Sequence, residues 1–202
     1  NNLAIAMFNS YTRPGCYQNL DESIALFQQA LALTPEGHTD PPPYLYNLAL
    51  ALLQKSRFRG NYKDLGISIA LFQKALALTQ KGDINRPLFL QGLAIARQNR
   101  YSLMSGKQDL ENSIAFYEEA LENLPDSQID KPMYQQDLAN LHLGTNNIQA
   151  ALKAYEGMAA SLEVQRASRQ SRRGREKMLS DYSEAYARLV FCCLKLDQPE
   201  KA

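Results

Sequence analysis

The chain has 202 residues, 45% apolar and 21% charged, so it can bury a substantial core and is not predicted to be disordered. Its 22 basic and 21 acidic residues leave a net charge of +1, which excludes an overall field that would attract nucleic acid or anionic lipid. The sequence predicts no membrane segment, because no run of 18 apolar residues occurs. The start at Asn1, without an initiator methionine or a signal-peptide pattern, indicates an excised piece.

The first half of each predicted unit contains Leu-Ala preceded by Asn, Gly or Asp. This tripeptide occurs at 2–4, 47–49, 92–94 and 137–139, at intervals of 45 residues. The second half repeats at the same interval: segment 23–34 returns as 68–79 and in part as 113–121. Apolar residues follow helical spacing in both halves, for example Leu45, Leu48 and Leu52. Each unit is therefore predicted to be a pair of helices.

Capping residues mark the expected helix starts. The first helices open with Asp40, Asn85 and Asp130, and the second helices with Asn19, Asp64 and Asp109. Prolines two residues after each first-helix start, Pro42, Pro87 and Pro132, suit the first helical turn. Gly15, Gly60 and Gly106 lie between paired helices, where a left-handed residue is expected.

The predicted pairs span 1–35, 41–80, 85–125 and 130–164, and the fourth is shorter than the others. Residues 165–202 then hold a basic segment, a long C-terminal helix and the start of a further repeat. A helix pair has an apolar face that it cannot bury alone, so the units are predicted to stack into an all-α solenoid with one concave side.

The pattern of Ser23, Phe27 and Ala30 in the second helix, after Leu-Ala in the first, resembles the tetratricopeptide (TPR) repeat. The resemblance implies a right-handed superhelix of antiparallel helix pairs, whose first helices line the concave face and bind a protein or peptide. This chain has 45-residue units instead of the usual 34 and lacks tryptophan.

The lengthened repeats, with segments 44–51, 57–65 and 184–202, are also similar to the region in front of the peptidase domain of CHAT proteins, which are caspase-like bacterial proteases. That resemblance implies that the catalytic His and Cys of such a protease lie beyond Ala202 and that a C-terminal effector belongs to the same polypeptide.

No catalytic, cofactor or metal site is predicted. His38 and His142 have no cysteine or carboxylate at ligand spacing, and both are interpreted as surface or packing residues. The odd set Cys16, Cys192 and Cys193 indicates reduced thiols and hence a cytoplasmic location.

Two surfaces are candidates for binding. Polar residues recur at two repeat positions of the first helices, Asn9, Gln54 and Asn99 at one and Tyr46, Gln91 and Gln136 at the other. The TPR resemblance implies that they face the groove, where amides could bond the backbone of a bound segment. The alternative is that they only solvate or cap helix surfaces.

The second candidate is a basic patch of six cations, opposed within its segment by Glu176 alone: Arg166, Arg169, Arg172, Arg173, Arg175 and Lys177. A solvated linker, docking to an acidic surface and contact with nucleic-acid phosphates all remain open, although nucleic acid is unfavoured because no aromatic residue lies between 165 and 177.

The sequence thus favours a non-catalytic interaction scaffold, the regulatory or sensor arm of a larger protein. The alternatives are a positioning or inhibitory region of a CHAT-type protease and, less favoured, a nucleic-acid-responsive module.

Overall fold

The computed structural model describes residues 2–10, 18–33, 41–122, 124–125, 127–168 and 171–198, with only the backbone at 41, 42, 172 and 175. Across these ranges the chain forms ten α-helices and no strand. In chain order they are α1 (Asn2–Ser10), α2 (Gln18–Ala32), α3 (Pro41–Arg59), α4 (Tyr62–Ala77), α5 (Arg86–Met104), α6 (Lys107–Glu122), α7 (Lys131–Gly144), α8 (Ile148–Ser168), α9 (Arg172–Asp181) and α10 (Ser183–Lys195). The predicted all-α class is confirmed.

The chain forms two compact units, Asn1–Ser113 and Ile114–Ala202, which divide within α6. The core of the first unit includes Phe27, Leu48 and Phe72, and each of these is at most 5% exposed. Burying such a side chain contributes roughly 1.5–3 kcal/mol. The core of the second unit joins α7, α8, α9 and α10 through buried residues such as Leu152, Tyr155, Met158 and Leu189.

One repeat position joins the two helices in each of the first three pairs. Asn19 donates a hydrogen bond to Ser10 Oγ (2.6 Å), and Asp64 lies 3.9 Å from Lys55 Nζ. At the third occurrence, Asp109 accepts hydrogen bonds from Arg97 (2.8 Å) and Arg100 (2.5 and 2.7 Å). The period of 45 residues therefore preserves a contact between paired helices even where the chemistry changes.

Those contacts correct the predicted helix starts. Asn19, Asp64 and Asp109 lie inside the first turns of α2, α4 and α6 rather than before them. The N-cap of α4 is Asn61, whose side chain accepts a hydrogen bond from the Lys63 backbone N–H. A carboxylate one turn into a helix still interacts favourably with the helix dipole and can reach the preceding helix.

The first-helix starts are also made differently from the prediction. Asn85 and Asp130 occupy the N-cap positions of α5 and α7, with proline in the first turn, but neither side chain forms a capping hydrogen bond. Their backbones are near-helical, with ψ of −13° and −11°, instead of the extended conformation that aims a side chain at the free N–H groups. Asp40 lies outside the described residues.

The turns between paired helices use different left-handed residues. Gly60 takes φ of +63° between α3 and α4, as predicted. Between α5 and α6, Ser105 takes φ of +54° instead of the predicted Gly106. Gly15 lies outside the described residues.

The C-terminal region is divided where one long helix was expected. Residues 165–168 of the basic segment complete α8, and the following stretch forms α9 and α10. Tyr182, with φ of −111° and ψ of 12°, separates these two helices. Because the backbone departs from helical values at one residue, α10 can turn its apolar face toward α8 independently of α9.

Candidate protein-binding surfaces

The second unit contains a cleft of about 640 Å³ between α6, α7 and α8. Its apolar lining comes from Leu121 of α6, Leu138 of α7, and Ala150, Ala154 and Gly157 of α8. The α8 residues recur at helical spacing, so they present one continuous face of small side chains. This cleft is large enough for one or two side chains of a partner, by the usual size of binding pockets.

Gly157 determines how closely α8 can approach the Gln135 side chain of α7. A Cβ added at this position would lie 2.9 Å from Gln135 Nε2, so glycine leaves room for the Gln135 side chain beside α8. Gln135 Oε1 is buried and has no hydrogen-bond partner among the described residues. A buried amide oxygen without a donor is costly, and a bound N–H group could satisfy it.

The cleft is charged along its edges. Glu118 and Glu122 line the α6 side, whereas Lys153 lines the α8 side. His142 lies on α7, and burial holds its pKa below the ordinary value although nearby Glu118 raises it. The imidazole is therefore neutral at pH 7, and the acidic edge is not neutralised by it.

Two predicted groove residues pack within the first unit, Gln91 as a buried residue and Tyr46 as a partly buried one. Gln91 is 8% exposed, and the Tyr46 ring lies 5.6 Å from the Phe72 ring and 5.4 Å from that of Phe89, centroid to centroid. Burial raises the pKa of Tyr46 to about 12. Gln91 and Tyr46 therefore contribute to packing within the first unit.

The other predicted groove residues are more accessible but are not all in one place. Asn99 lines a cavity of about 230 Å³ with Arg57 and Leu103, and its amide nitrogen has no partner among the described residues. Gln54 is half-buried and Asn9 is exposed, both in the first unit. In the second unit, Gln136 is half-buried next to Gln135 of the cleft.

The basic patch is only partly described. Arg166 lies on α8 and pairs with Glu163 at 2.7 Å, while Arg173 is exposed on α9. Lys177 lines a cavity of about 280 Å³ with Gln165, Met178 and Tyr182. Arg169 and the side chains of Arg172 and Arg175 lie outside the described residues, so the predicted patch stays a prediction.

The described ranges contain no group of three His, Cys, Asp or Glu side chains that could hold a metal ion. Cys192 and Cys193 are fully buried free thiols. Burial raises the pKa of Cys192, which lowers the fraction of the reactive thiolate. His38 and Cys16 lie outside the described residues. Among the described helices, none has the length and apolar character needed to cross a bilayer.

Sequence reasoning did not find the cleft. In the sequence, the adjacent acids Glu118 and Glu119 are typical of a solvated helix face and do not indicate a binding site. The available signal was Gly157 inside a helix of otherwise good helix formers, since a glycine there costs about 1 kcal/mol and suggests a close approach. Only the packing of α6 and α8 around α7 shows which residues share the cleft.

Solved structures with TPR-like repeats share this architecture. A crystal structure of a kinesin light chain-like protein from Podosopora anserina, with nearly identical TPR-like repeats, matches with a TM-score of 0.60 and 15% identity over 97% of this chain and 92% of that chain. A single-residue variant of that protein matches with a TM-score of 0.61 and 15% identity over 99% and 95%. No protein-family model and no curated protein matches the chain. The fold is therefore that of TPR-like helical repeats.

Proposed function

We propose that this chain is a non-catalytic scaffold that holds a segment of another protein in the cleft of its second unit. The observation that carries the proposal is the cleft of about 640 Å³, with an apolar floor and charged edges. Binding sites of this kind are concave and mostly apolar, with a few polar groups that fix the orientation of the ligand.

The floor would supply most of the binding energy. Leu121, Leu138 and Ala154 offer apolar surface to an inserted aliphatic or aromatic side chain. Each buried apolar side chain of the partner would contribute roughly 1.5–3 kcal/mol, before the cost of ordering the segment. A short peptide is therefore expected to bind at micromolar rather than nanomolar concentration.

The edges would set the direction of the bound segment. Glu118 and Glu122 favour a lysine or arginine on the α6 side, and Lys153 favours an acidic residue on the α8 side. Neither Glu122 nor Lys153 forms an ion pair with another described residue. Both charges are thus available to a partner.

A phage-displayed library of random peptides, selected on the 202-residue chain, provides the test. The selected peptides should carry an apolar residue beside a basic one, and Glu118→Lys should weaken their binding about tenfold in a fluorescence titration. The matched control is Glu22→Lys, which reverses an exposed charge on α2 of the first unit. Equal loss in both variants would show only a general charge effect.

The same peptides distinguish the cleft from the predicted groove. Asn9→Ala and Gln54→Ala should leave binding unchanged if the cleft is the site. If these amide variants lose binding and Glu118→Lys does not, the predicted groove is the site instead. If no peptide is selected above background, the proposal fails for short segments.

We further propose that the scaffold is the regulatory or sensor arm of a larger protein, with the CHAT-type protease region as the alternative. The support is the sequence resemblance over 44–51, 57–65 and 184–202, and the two buried free thiols agree with a cytosolic location. Intact mass and a peptide map of the native polypeptide test this: a caspase-like His and Cys beyond Ala202 would identify the protease, and their absence would exclude it.

A further inference from the structure

Helix α10 has an apolar stripe that nothing covers among the described residues. Val190 is 38% exposed, Phe191 44% and Leu194 64%, and exposed Ala187 extends the same stripe at helical spacing. The opposite face of α10 packs into the core of the second unit through Ala185, Leu189, Cys192 and Cys193. The helix is therefore apolar on two sides, which is typical of an internal helix rather than of a terminal one.

The turn that ends α10 repeats the turn that ends α7. After α7, Asn146 takes φ of +58°. The backbone N–H of residue 145 donates to the carbonyls of 141 and 142, that of 146 to 143, and that of 147 to 142. After α10, Asp197 takes φ of +54°. The backbone N–H of residue 196 donates to the carbonyls of 192 and 193, that of 197 to 194, and that of 198 to 193. The two turns match hydrogen bond for hydrogen bond, 51 residues apart.

This register aligns α7 with α10 residue by residue. Leu138 and Leu189 are 8% and 7% exposed, Leu141 and Cys192 are 4% and 0% exposed, and so the inner faces agree. The outer positions differ. Ala139 is fully buried in the core that includes Ala151, Leu152 and Tyr155 of α8, whereas its counterpart Val190 is exposed.

The other two exposed residues of the stripe follow the same rule. Asn140 of α7 accepts a hydrogen bond from Tyr155 of α8 at 2.6 Å, and its counterpart is Phe191. Leu143 packs against the core around α8, and its counterpart is Leu194. The exposed positions of α10 are thus those that, in α7, face the next helix.

We propose that α10 is the first helix of a fifth pair and that its exposed stripe is the docking surface for the segment of this polypeptide that begins at Pro199. In α7 and α8, the helix starts two residues after the left-handed Asn146. The equivalent residue after Asp197 is Pro199, and proline is favoured at the first helical position. By this correspondence, we expect the docked segment to lie along the stripe as α8 lies along α7.

The stripe also specifies the chemistry of this helix. Phe191 cannot accept the hydrogen bond that Asn140 accepts, so the residue that corresponds to Tyr155 should lack a hydroxyl group. Val190 is larger than Ala139, so the residue opposite it should be small. Lys195 Nζ lies 5.6 Å from the Phe191 ring centroid, and an acidic residue beside it would add a favourable charge pair.

A chain extended by a helix of known sequence provides the test. After Gln198, the sequence of α8 is appended, with phenylalanine in place of the tyrosine that corresponds to Tyr155. Hydrogen exchange of the 202-residue chain and of the extended chain is compared over residues 186–195. We expect exchange in α10 to slow about tenfold or more in the extended chain, because a helix that covers the stripe closes its local opening.

Two variants make the result specific. The pair Val190→Glu and Leu194→Glu should abolish the added protection in the extended chain and leave the 202-residue chain folded with an unchanged melting temperature. The control is Ile84→Glu at a residue that is 90% exposed in the first unit. It should change neither chain.

Three outcomes would overturn the proposal. The extension could fail to slow exchange in α10. The glutamates could lower the melting temperature of the 202-residue chain as much as that of the extended chain, which would show that the stripe is already covered. The 202-residue chain could form a dimer in sedimentation that the glutamates abolish, which would assign the stripe to a second copy.

Discussion

The same two repeat positions are filled in different ways in the two units. In the first unit, Phe72 of α4 packs against Gly92 of α5, where an added Cβ would lie only 2.5 Å from the ring. In the second unit, 45 residues later, the hydroxyl of Tyr117 donates to the carboxylate of Asp137 at 3.1 Å. Both aromatic rings are fully buried.

The difference shows that the repeat preserves a contact rather than a chemistry. Where the residue before Leu-Ala is glycine, its missing side chain makes room for a phenyl ring. Where that residue is aspartate, the aromatic residue carries a hydroxyl that satisfies a carboxylate next to the core. Each position is suited only to its own partner, so exchange of single residues between the units should be harmful.

The largest effect is expected from Gly92→Asp, which places the residue of the second unit into the first. The new side chain would overlap the Phe72 ring and carry a buried charge without a hydroxyl partner, so we expect a loss of about 3 kcal/mol or more. For a chain of this size the melting temperature should fall by roughly 2–4 °C for each kcal/mol.

Steric overlap as the cause can be isolated with a double-mutant cycle. Phe72→Leu combined with Gly92→Ala should cost less than the sum of the two single changes, because the smaller residue gives room to the new methyl group. Urea denaturation measures all four stabilities. Strict additivity would show that the ring and the glycine are not coupled.

The next effect is expected from Tyr117→Phe, which removes the hydroxyl and leaves Asp137 without the hydrogen bond that Tyr117 donates to it. A buried carboxylate that loses a donor should cost about 1–3 kcal/mol in urea denaturation. The control is Tyr101→Phe on half-buried Tyr101 of α5, which should cost less than about 0.5 kcal/mol. Equal losses in the two variants would contradict the role of the Tyr117 hydroxyl.

The pH dependence of stability should have opposite signs at Asp137 and Asp109. Burial raises the pKa of Asp137 above 3.8, although the Tyr117 hydrogen bond lowers it in part. The ionised form is therefore disfavoured in the folded state, and this cost disappears as the pH falls through the raised pKa. Wild type should gain stability relative to Asp137→Asn over that range.

At Asp109 the hydrogen bond from Arg100, together with Arg97, holds the pKa below 3.8. The stabilisation by the ionised carboxylate is present above 3.8 and is lost as the pH falls through the lowered pKa. Wild type should therefore lose its advantage over Asp109→Asn in strong acid. Urea denaturation of both variants from neutral pH into acid checks the two signs, and parallel curves would contradict the assignment.

The smallest effect is expected from Lys55→Gln, at the position that Arg100 occupies one repeat later. The Lys55 amine lies 3.0 Å from the partly exposed Asp21, a pair that solvent screens, and 3.9 Å from Asp64, a distance too long for a hydrogen bond. We expect a loss below about 1 kcal/mol, and a larger loss for Arg100→Gln. Thermal melts at low and high salt should confirm a small, salt-dependent change.

Much of the fold could be predicted because local signals recur. The spacing of Leu45, Leu48 and Leu52, and the return of Ser68 and Phe72 after 45 residues, predicted helix pairs that the structure contains. The expected caps and turn glycines were less accurate. Ser105 takes the left-handed turn before Gly106, and Asp109 binds Arg100 instead of capping, because several polar residues near a helix start compete for the same roles.

The candidate site could not be predicted in the same way. Gln91 and Tyr46 have polar groups at a plausible repeat position, but the structure buries Gln91 and packs the Tyr46 ring beside the rings of Phe72 and Phe89. Glu118 and Lys153 are ordinary surface charges in the sequence, yet they line one cleft. A side chain's neighbours on other helices decide its role, and the period of one helix does not contain that information.

By itself, the sequence determined the helix pairs, because a period of 45 residues repeats the apolar faces of both helices. Only the tertiary structure decided that Gly92 and Asp137 meet their own aromatic partners, that α6 and α8 leave a cleft over α7, and that α10 presents Val190 and Leu194 uncovered. The physical reason is that packing depends on the shape and charge of distant segments, which a local pattern does not specify.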